Sequence, residues 1–557
     1  MRGLINVKRF VFAIYVAVIG VLVTATVLEK VYGTPFVMEH IYGAWWFIAL
    51  WALLGVGCIK NVIIKVKGQR SKVKGLTSIF QFFNSSVFLH GSFVLILVGA
   101  LVTHLFGVQG TVHLRKGEST VMMLNDEKKM VEYLPFSVTL KDFQLKTYQG
   151  TQTPKDYVSV ITTSSDEELV VSMNNVGSCQ SYRFYQSGYD SDLQGTYLSL
   201  SHDPWGIGIT YTGYALLLIS MLWMMIRPLG VKVRTSIFQS FNSLIFIALC
   251  FLPFAFVSCT ALQPFAERVY AIFNHLRPLA IVLLSVGFVN YIFTLVYTSR
   301  QRPMPRWFTI QFPVFCVVAF VYLLLFTTLR TIIAGHIPLT NGFEVMLFMS
   351  MCSLAIGLAG RGTSIFESFN FSIFLIVSSL TLLVATMSQS DSQIEPIAPV
   401  LDSPLLSIHV SLVMLAYTLF AFLALNSLTV LVSRQNNQQS TINNQLKLAV
   451  FLLAAGIILG AIWANQSWGR YWGWDPKEVW ALITLMVYAI PLHASQREKL
   501  KIKKLENVNI DSPKFPLKGA RGPFFYHLYL VLAFLSVIIT YFGVNFFLGG
   551  MHSYANG

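Results

Sequence analysis

Charge is scarce in this chain. Only 12% of its 557 residues are Asp, Glu, Lys or Arg, about half the share of a soluble domain. With 55% hydrophobic residues and a mean hydropathy of +0.62, that scarcity excludes an ordinary soluble enzyme and points to a polytopic membrane protein. Acidic residues are scarcer than basic ones, 25 against 40, which leaves a net charge of +15. The excess does not imply nucleic acid, because the basic residues stand in short clusters beside apolar runs, as cytoplasmic loops do. Cysteine is sparse too. Cys58, Cys179, Cys250, Cys259, Cys316 and Cys352 form no CxxC and no metal-ligand spacing. Neither a disulfide framework nor a zinc site is indicated, and packing roles are expected. No small-residue cleavage site follows the first apolar run, so that run is expected to remain as a helix and not leave as a signal peptide.

What the chain has in abundance is long apolar stretches. Val11–Leu28, Phe88–Phe106, Tyr211–Ile226, Phe312–Thr327 and Leu528–Phe547 are each long enough, or nearly so, to cross a hydrocarbon layer ~30 Å thick. Basic clusters at Lys60 to Lys74, Arg227 to Arg234, Arg300 to Arg306, Arg361, Arg434 to Lys447 and Lys499 to Arg521 are placed in the cytoplasm by the positive-inside rule. Joining them gives about thirteen spans, with the N-terminus inside and the C-terminus outside. The expected spans are 10–29, 42–63, 82–106, 208–226, 236–258, 277–298, 308–330, 342–360, 365–387, 405–432, 448–466, 478–495 and 524–547. Residues 107 to 206 are too polar for membrane and alternate apolar with polar, as in SVTLKDFQL (Ser137–Leu145), which predicts strands. The expected fold class is an all-α polytopic membrane protein with an inserted extracytoplasmic β-rich domain. TSIFQFFN, TSIFQSFN and TSIFESFN recur at Thr77–Asn84, Thr235–Asn242 and Thr363–Asn370. Each reads as a membrane-entry device with a Ser/Thr cap.

Two residue types carry the chemistry. Four tryptophans crowd SWGRYWGWDPKEVW (Ser467–Trp480), more flat aromatic surface than a soluble loop needs and more charge than a span tolerates. Eleven histidines sort by depth. His90 and His493 lie on the cytoplasmic halves of their spans, with His527 as a competitor to His90. His409 and His552 lie near the outer face. Intramembrane histidines are functional-site hypotheses by default; a lone one is more often a hydrogen-bonded core residue, but two or three at one shallow depth shift the balance toward a ligand pair. His40, His113, His202, His275 and His336 fall where solvated imidazole is expected, and His104 has no obvious partner. Paired imidazoles suit iron or copper, a six-coordinate haem takes two axial protein ligands, and indoles offer flat apolar contact to a porphyrin.

WGRYWGWDPKEVWALITLMVYAIPLHA (Trp468–Ala494) resembles the tryptophan-rich WWD signature of haem-handling proteins in cytochrome c maturation. With LDSPLLSIHVSL around His409, LGGMHSYANG around His552, and YRFYQSGYD followed by LSLSHDPWG, the chain resembles the fused System II cytochrome c synthase, in which a ResB-like half precedes a ResC-like half. The resemblance implies ResB-like helices at 1–106, an extracytoplasmic β domain at 107–206, remaining ResB-like helices with an external linker at 207–265, and a ResC-like domain at 266–557 with the WWD segment at 467–480. It implies a multi-pass protein of the bacterial cytoplasmic membrane that exports haem b and attaches it by thioether bonds to the CxxCH motif of apocytochrome c (a haem lyase). It implies iron ligation by His90 and His493 in the membrane and by His409 and His552 outside, with Trp468, Trp472, Trp474 and Asp475 against the ring. Arg470, Lys477 and Arg330 are candidate partners for the propionates, with surface salt bridges within the loop as an equal alternative, and Trp463 and Trp480 read as interfacial anchors more than as ring contacts. The absent CxxC implies a separate thiol reductant. The alternative is a haem-binding transporter or receptor without synthase activity. A small-solute transporter fits less well because the repeats are parallel. A cytochrome b-type subunit has no use for the tryptophan-rich loop.

Overall fold

The computed structural model describes residues 2–70, 85–126, 128–164, 167–226, 248–273, 276–300, 306–359, 371–387, 393–433, 439–506 and 521–548. The three TSIF repeats, His275 and His552 lie outside those residues. Among the described residues, eight helices are long and apolar enough to cross a membrane, and three shorter apolar helices accompany them. The protein is thus mostly helical and multi-pass, while the expected count of about thirteen spans is not reached by this measure. Most of the expected span 236–258 lies outside the described residues, and its end is a short 3₁₀ turn at Leu252–Phe256.

The chain divides into two compact units, Met1–Arg227 with Pro396–Ile408 and Ile457–Glu478, and the remainder. The first contains α1 (Arg2–Tyr32), α2 (Trp45–Arg70), α3 (Ser85–Phe106) and α4 (Gly206–Ile226). A Cβ on Gly99 would collide with Thr210, and one on Gly213 would stand 2.7 Å from Ile96. The small residues let α3 and α4 touch along their backbones, as membrane helices do when lipid supplies no hydrophobic drive.

Between α3 and α4 sits the expected β insert, an eight-stranded sheet in the order β5-β4-β3-β2-β1-β8-β7-β6. The strands are β1 (Val108–Arg115), β2 (Ser119–Asn125), β3 (Val131–Thr147), β4 (Pro154–Thr163), β5 (Glu168–Val171), β6 (Gly177–Cys179), β7 (Tyr182–Tyr189) and β8 (Gly195–His202). Every named pairing is antiparallel. Alternate residues such as Leu114, Val138, Leu140, Phe184 and Leu198 fill one core, the period-two pattern that identified the strands. β1 and β8 pair with Val108 opposite His202, so the chain leaves α3 and returns to α4 along neighbouring strands.

The second unit contains α5 (Gln263–Phe273), α6 (Leu276–Ser299), α7 (Arg306–Ala334), α8 (Gly342–Ala359) and α9 (Phe371–Ala385). It also takes most of α10 (Pro404–Ser433), α11 (Gln439–Trp468) up to Gly456, α12 (Pro476–Glu506) from Val479, and α13 (Arg521–Ile538). Arg330, expected as a propionate partner, is buried in a structural clamp instead. Its Nε donates to Glu344 Oε1 at 2.8 Å, and its other nitrogens donate to Tyr270 Oη at 3.1 Å and to the Gln393 carbonyl at 2.7 Å. Glu344 Oε2 accepts from the Thr340 N–H and hydroxyl. A buried charge is tolerable only when it is paired and hydrogen-bonded in this way. His336, expected in solvent, is buried with its ring nitrogens facing the Ile337 and Glu395 carbonyls.

Candidate functional site

The tryptophan-rich segment leaves the C-terminus of α11 and belongs to the first unit. Gly469 turns the chain at φ +77°, and a Cβ there would stand 2.7 Å from the Tyr185 ring of β7. Only glycine accepts both the left-handed backbone and the close approach. Two residues on, the buried Tyr471 donates to Thr103 Oγ1 at 2.9 Å, which itself donates to Asp203 Oδ2 at 2.6 Å. Thr210 Oγ1 donates to the Tyr471 oxygen at 3.4 Å. The chain of hydroxyls pins the loop to the ends of α3 and α4, and burial raises the Tyr471 phenol above its usual range.

The end of the loop is a helix start. Asp475 caps α12, with its Oδ2 accepting the Lys477 N–H at 3.2 Å, and Pro476 stands at the first helical position. Glu478, three residues after Asp475, reaches back to the Asp475 N–H at 3.3 Å and the Gly473 N–H at 2.8 Å. This reciprocal arrangement is a capping box. The Asp of the tryptophan-rich segment therefore has a local structural task, and its side chain is buried.

Between the two anchors the backbone is strained. Trp474 sits at φ +57°, a conformation rare for a bulky residue and costing about 1–3 kcal/mol. Its indole stacks on Tyr42 with centroids 4.6 Å apart and planes 11° apart, meets the edge of Phe47 at 5.3 Å, and lies across Trp472 at 5.9 Å. Trp468, Trp472 and Trp474 are all half-buried, so each presents part of its surface outward. Arg470 folds over Gly473. Burial pulls the Lys477 ammonium down to about 8, with Asp475 opposing. Trp463 and Trp480, expected as interfacial anchors, are instead buried within protein.

His409, His90 and His493 share one tautomer. A carbonyl oxygen only accepts, so Nδ1 must be the donor in His409 to Gly456 O at 2.7 Å, His90 to Ser86 O at 2.6 Å and His493 to Ala489 O at 2.9 Å. The neutral ring then carries its lone pair on Nε2, as an iron ligand requires. The bonds of His90 and His493 reach one turn back along their own helices and are generic. That of His409 crosses from α10 to α11 and is specific. A Cβ on Gly456 would stand 2.6 Å from Val413 Cγ2, so the glycine lets α10 come close enough for the bond. His90 Nε2 also meets Asn61 Nδ2 at 3.0 Å. The competitor His527 is buried, with Nδ1 3.4 Å from Ser427 Oγ. His90 lies in the first unit, and His409, His493 and His527 lie in the second. Among the described residues, no group of three or more His, Cys, Asp or Glu is arranged to hold a metal ion.

Sequence reasoning missed Tyr42, Thr103, Thr210 and Glu478. Asp-Pro-Lys-Glu spells a capping box and was legible. Nothing in the sequence marks Tyr42 as the partner of Trp474.

Residues 85–203 match the model of the ResB-like family, and residues 272–510 match that of the cytochrome C assembly protein. The chain is 33% identical over 299 residues to Protein NrfI of Wolinella succinogenes, a match spanning 51% of this chain and 30% of that protein. It is 28% identical over 325 residues to the cytochrome c biogenesis protein CcsA of Guillardia theta, spanning 51% of this chain and 97% of that protein. A third relative, CcsA of Chlamydomonas reinhardtii, is 31% identical over 238 residues, 40% of this chain and 62% of that protein. The chain thus spans under a third of the length of the NrfI protein it matches. One polypeptide joins a segment matching the ResB-like model to a segment matching the cytochrome C assembly model, in that order, an arrangement consistent with a fused ResB/ResC System II protein.

Proposed function

We propose that the chain carries haem across the membrane and joins it by thioether bonds to the CxxCH motif of apocytochrome c. The relatives named CcsA are cytochrome c biogenesis proteins, which supports a role in that process. The observation that carries the reading is the His409–Gly456 bond between two helices, because it holds an imidazole in the tautomer and orientation a haem iron needs. The roles proposed are those expected from the sequence, except that Arg330 is left to its clamp and Asp475 to its helix cap. His90 and His493 ligate the substrate's iron within the membrane, and His409 and His552 ligate it at the attachment site. Ligation by His90 requires Asn61 to swing off Nε2. Trp468, Trp472 and Trp474 give the ring flat contact, while Arg470 and Lys477 meet its propionates. Asp475 serves by holding the loop at the head of α12.

The chemistry asks little of the side chains. Each substrate thiol adds across one vinyl group: sulfur bonds one vinyl carbon, and the thiol proton ends on the other. No oxidant is consumed, and the cysteines must arrive reduced, which is the work of a separate thiol reductant. What the protein contributes is orientation, since holding both vinyls against both thiols replaces a chance encounter by a near-attack geometry. Coexpression with a CxxCH reporter followed by haem staining tests the reading. A reporter that stays unstained while haem co-purifies with the chain would leave a transporter or receptor in place of a synthase.

A further inference from the structure

We propose that the β2–β3 hairpin rests on the lipid bilayer beside the ends of α3 and α4, so that the β domain is held by lipid as well as by its two connections. The two strands pair with Met122 opposite Tyr133 and Leu124 opposite Val131. These four side chains share the outer face of the sheet and all are exposed, while Met123 and Leu134 on the other face are buried in the core. Met130, in the turn, is 64% exposed and Tyr133 is 71% exposed. A contiguous apolar patch of this kind is unusual on a surface facing water.

The register says what covers it. β1 starts at Val108, two residues past the end of α3 at Phe106. Asn125, the last residue of β2, is paired opposite Gly110, and the Asp126 N–H donates to the Gln109 carbonyl at 3.0 Å. The hairpin tip is therefore level with the third residue beyond the membrane helix, roughly 10 Å along a strand, and the turn points back toward the bilayer. Trp205, 70% exposed, stands just before α4 at the same end of the β1–β8 ladder, where an interfacial indole belongs. Lys128, whose Nζ donates to Glu132 Oε1 at 2.7 Å, and Lys129 occupy the turn. The exposed patch thus stands at the same end of the β1–β2 ladder as the exposed Leu105 and Phe106 of α3, and lipid is the occupant that this placement beside a membrane helix selects.

The test uses the full chain in vesicles of phosphatidylcholine and phosphatidylglycerol. Spin labels are placed at Met130→Cys and Tyr133→Cys, with Ser191→Cys as a control in the exposed β7–β8 turn, at the opposite end of the β1–β8 ladder. These surface positions leave the core intact. The label at Met130 should collide several-fold more with oxygen, relative to a water-soluble nickel chelate, than the control, and Tyr133 should be shallower than Met130. Equal nickel access at Met130 and Ser191 would overturn the proposal. So would protection of Met130 from both reagents, which would mean that protein covers the patch.

Discussion

The indole of Trp474 lies flat on the ring of Tyr42, planes 11° apart, although the two residues are separated by most of the chain. The stack holds a tryptophan in a left-handed backbone that it would otherwise abandon. Replacing Tyr42 with Ala removes an aromatic contact worth about 0.5–1.5 kcal/mol. The loop should relax, and reporter maturation should fall by about tenfold, the equivalent of 1.4 kcal/mol. Tyr42→Phe keeps the stack and should keep activity. Haem staining of the reporter decides between them.

The His409–Gly456 bond gives a second prediction. His409→Ala should abolish attachment while haem still co-purifies, and added imidazole should restore part of the staining. Gly456→Ala should mimic the loss without touching the imidazole, because the new Cβ pushes α10 away through Val413. A Gly456→Ala protein with full activity would show that the carbonyl does not orient the ring.

At the head of α12, Asp475→Ala removes the cap and should cost about 1 kcal/mol, visible as a lower thermal midpoint in detergent. Glu478→Gln keeps an oxygen for the two N–H groups and should cost less. A ring contact alone would make Asp475→Ala lower activity with no change in the midpoint.

Lys477 sets a pH dependence. Its folded value of about 8 lies below the ordinary lysine range, so below pH 8 the folded state carries a buried charge that the unfolded chain bears at no penalty. That destabilisation, at most about 3 kcal/mol, fades as pH rises from 8 toward the unfolded value. Lys477→Met should raise the midpoint at pH 7, with the gain vanishing by about pH 10. If Lys477 meets a propionate, wild-type haem retention should weaken above pH 8 and the variant should lose that trend.

In the membrane path, Asn61→Ala should favour ligation by His90, since the amide no longer occupies Nε2. More haem should co-purify with the variant. An unchanged haem content would argue that His90 is held for structure alone.

The local patterns were legible and the long-range ones were not. The β insert appeared as period-two alternation because each strand has one face in a shared core, as Leu140 and Ile161 do. The membrane helices appeared as apolar runs, and the tryptophan-rich loop as a density of indoles. The helix census was less secure because short apolar helices such as Phe371–Ala385 fall below a full bilayer crossing. Arg330 could not be told from a ligand-binding arginine, since Glu344, Tyr270 and Gln393 reach it only after folding. Trp463 read as an interfacial anchor because a residue at a span end carries no mark of what packs around it.

Tyr471 is bonded to a threonine 368 residues earlier, and this has a consequence for biosynthesis. During translation the first helices and the sheet are complete long before the indoles emerge from the ribosome. The aromatic platform must therefore close late, onto a scaffold that is already inserted. Truncated or stalled products would carry the scaffold without the platform, and the cell would meet the complete aromatic surface only on chains synthesised past the start of α12.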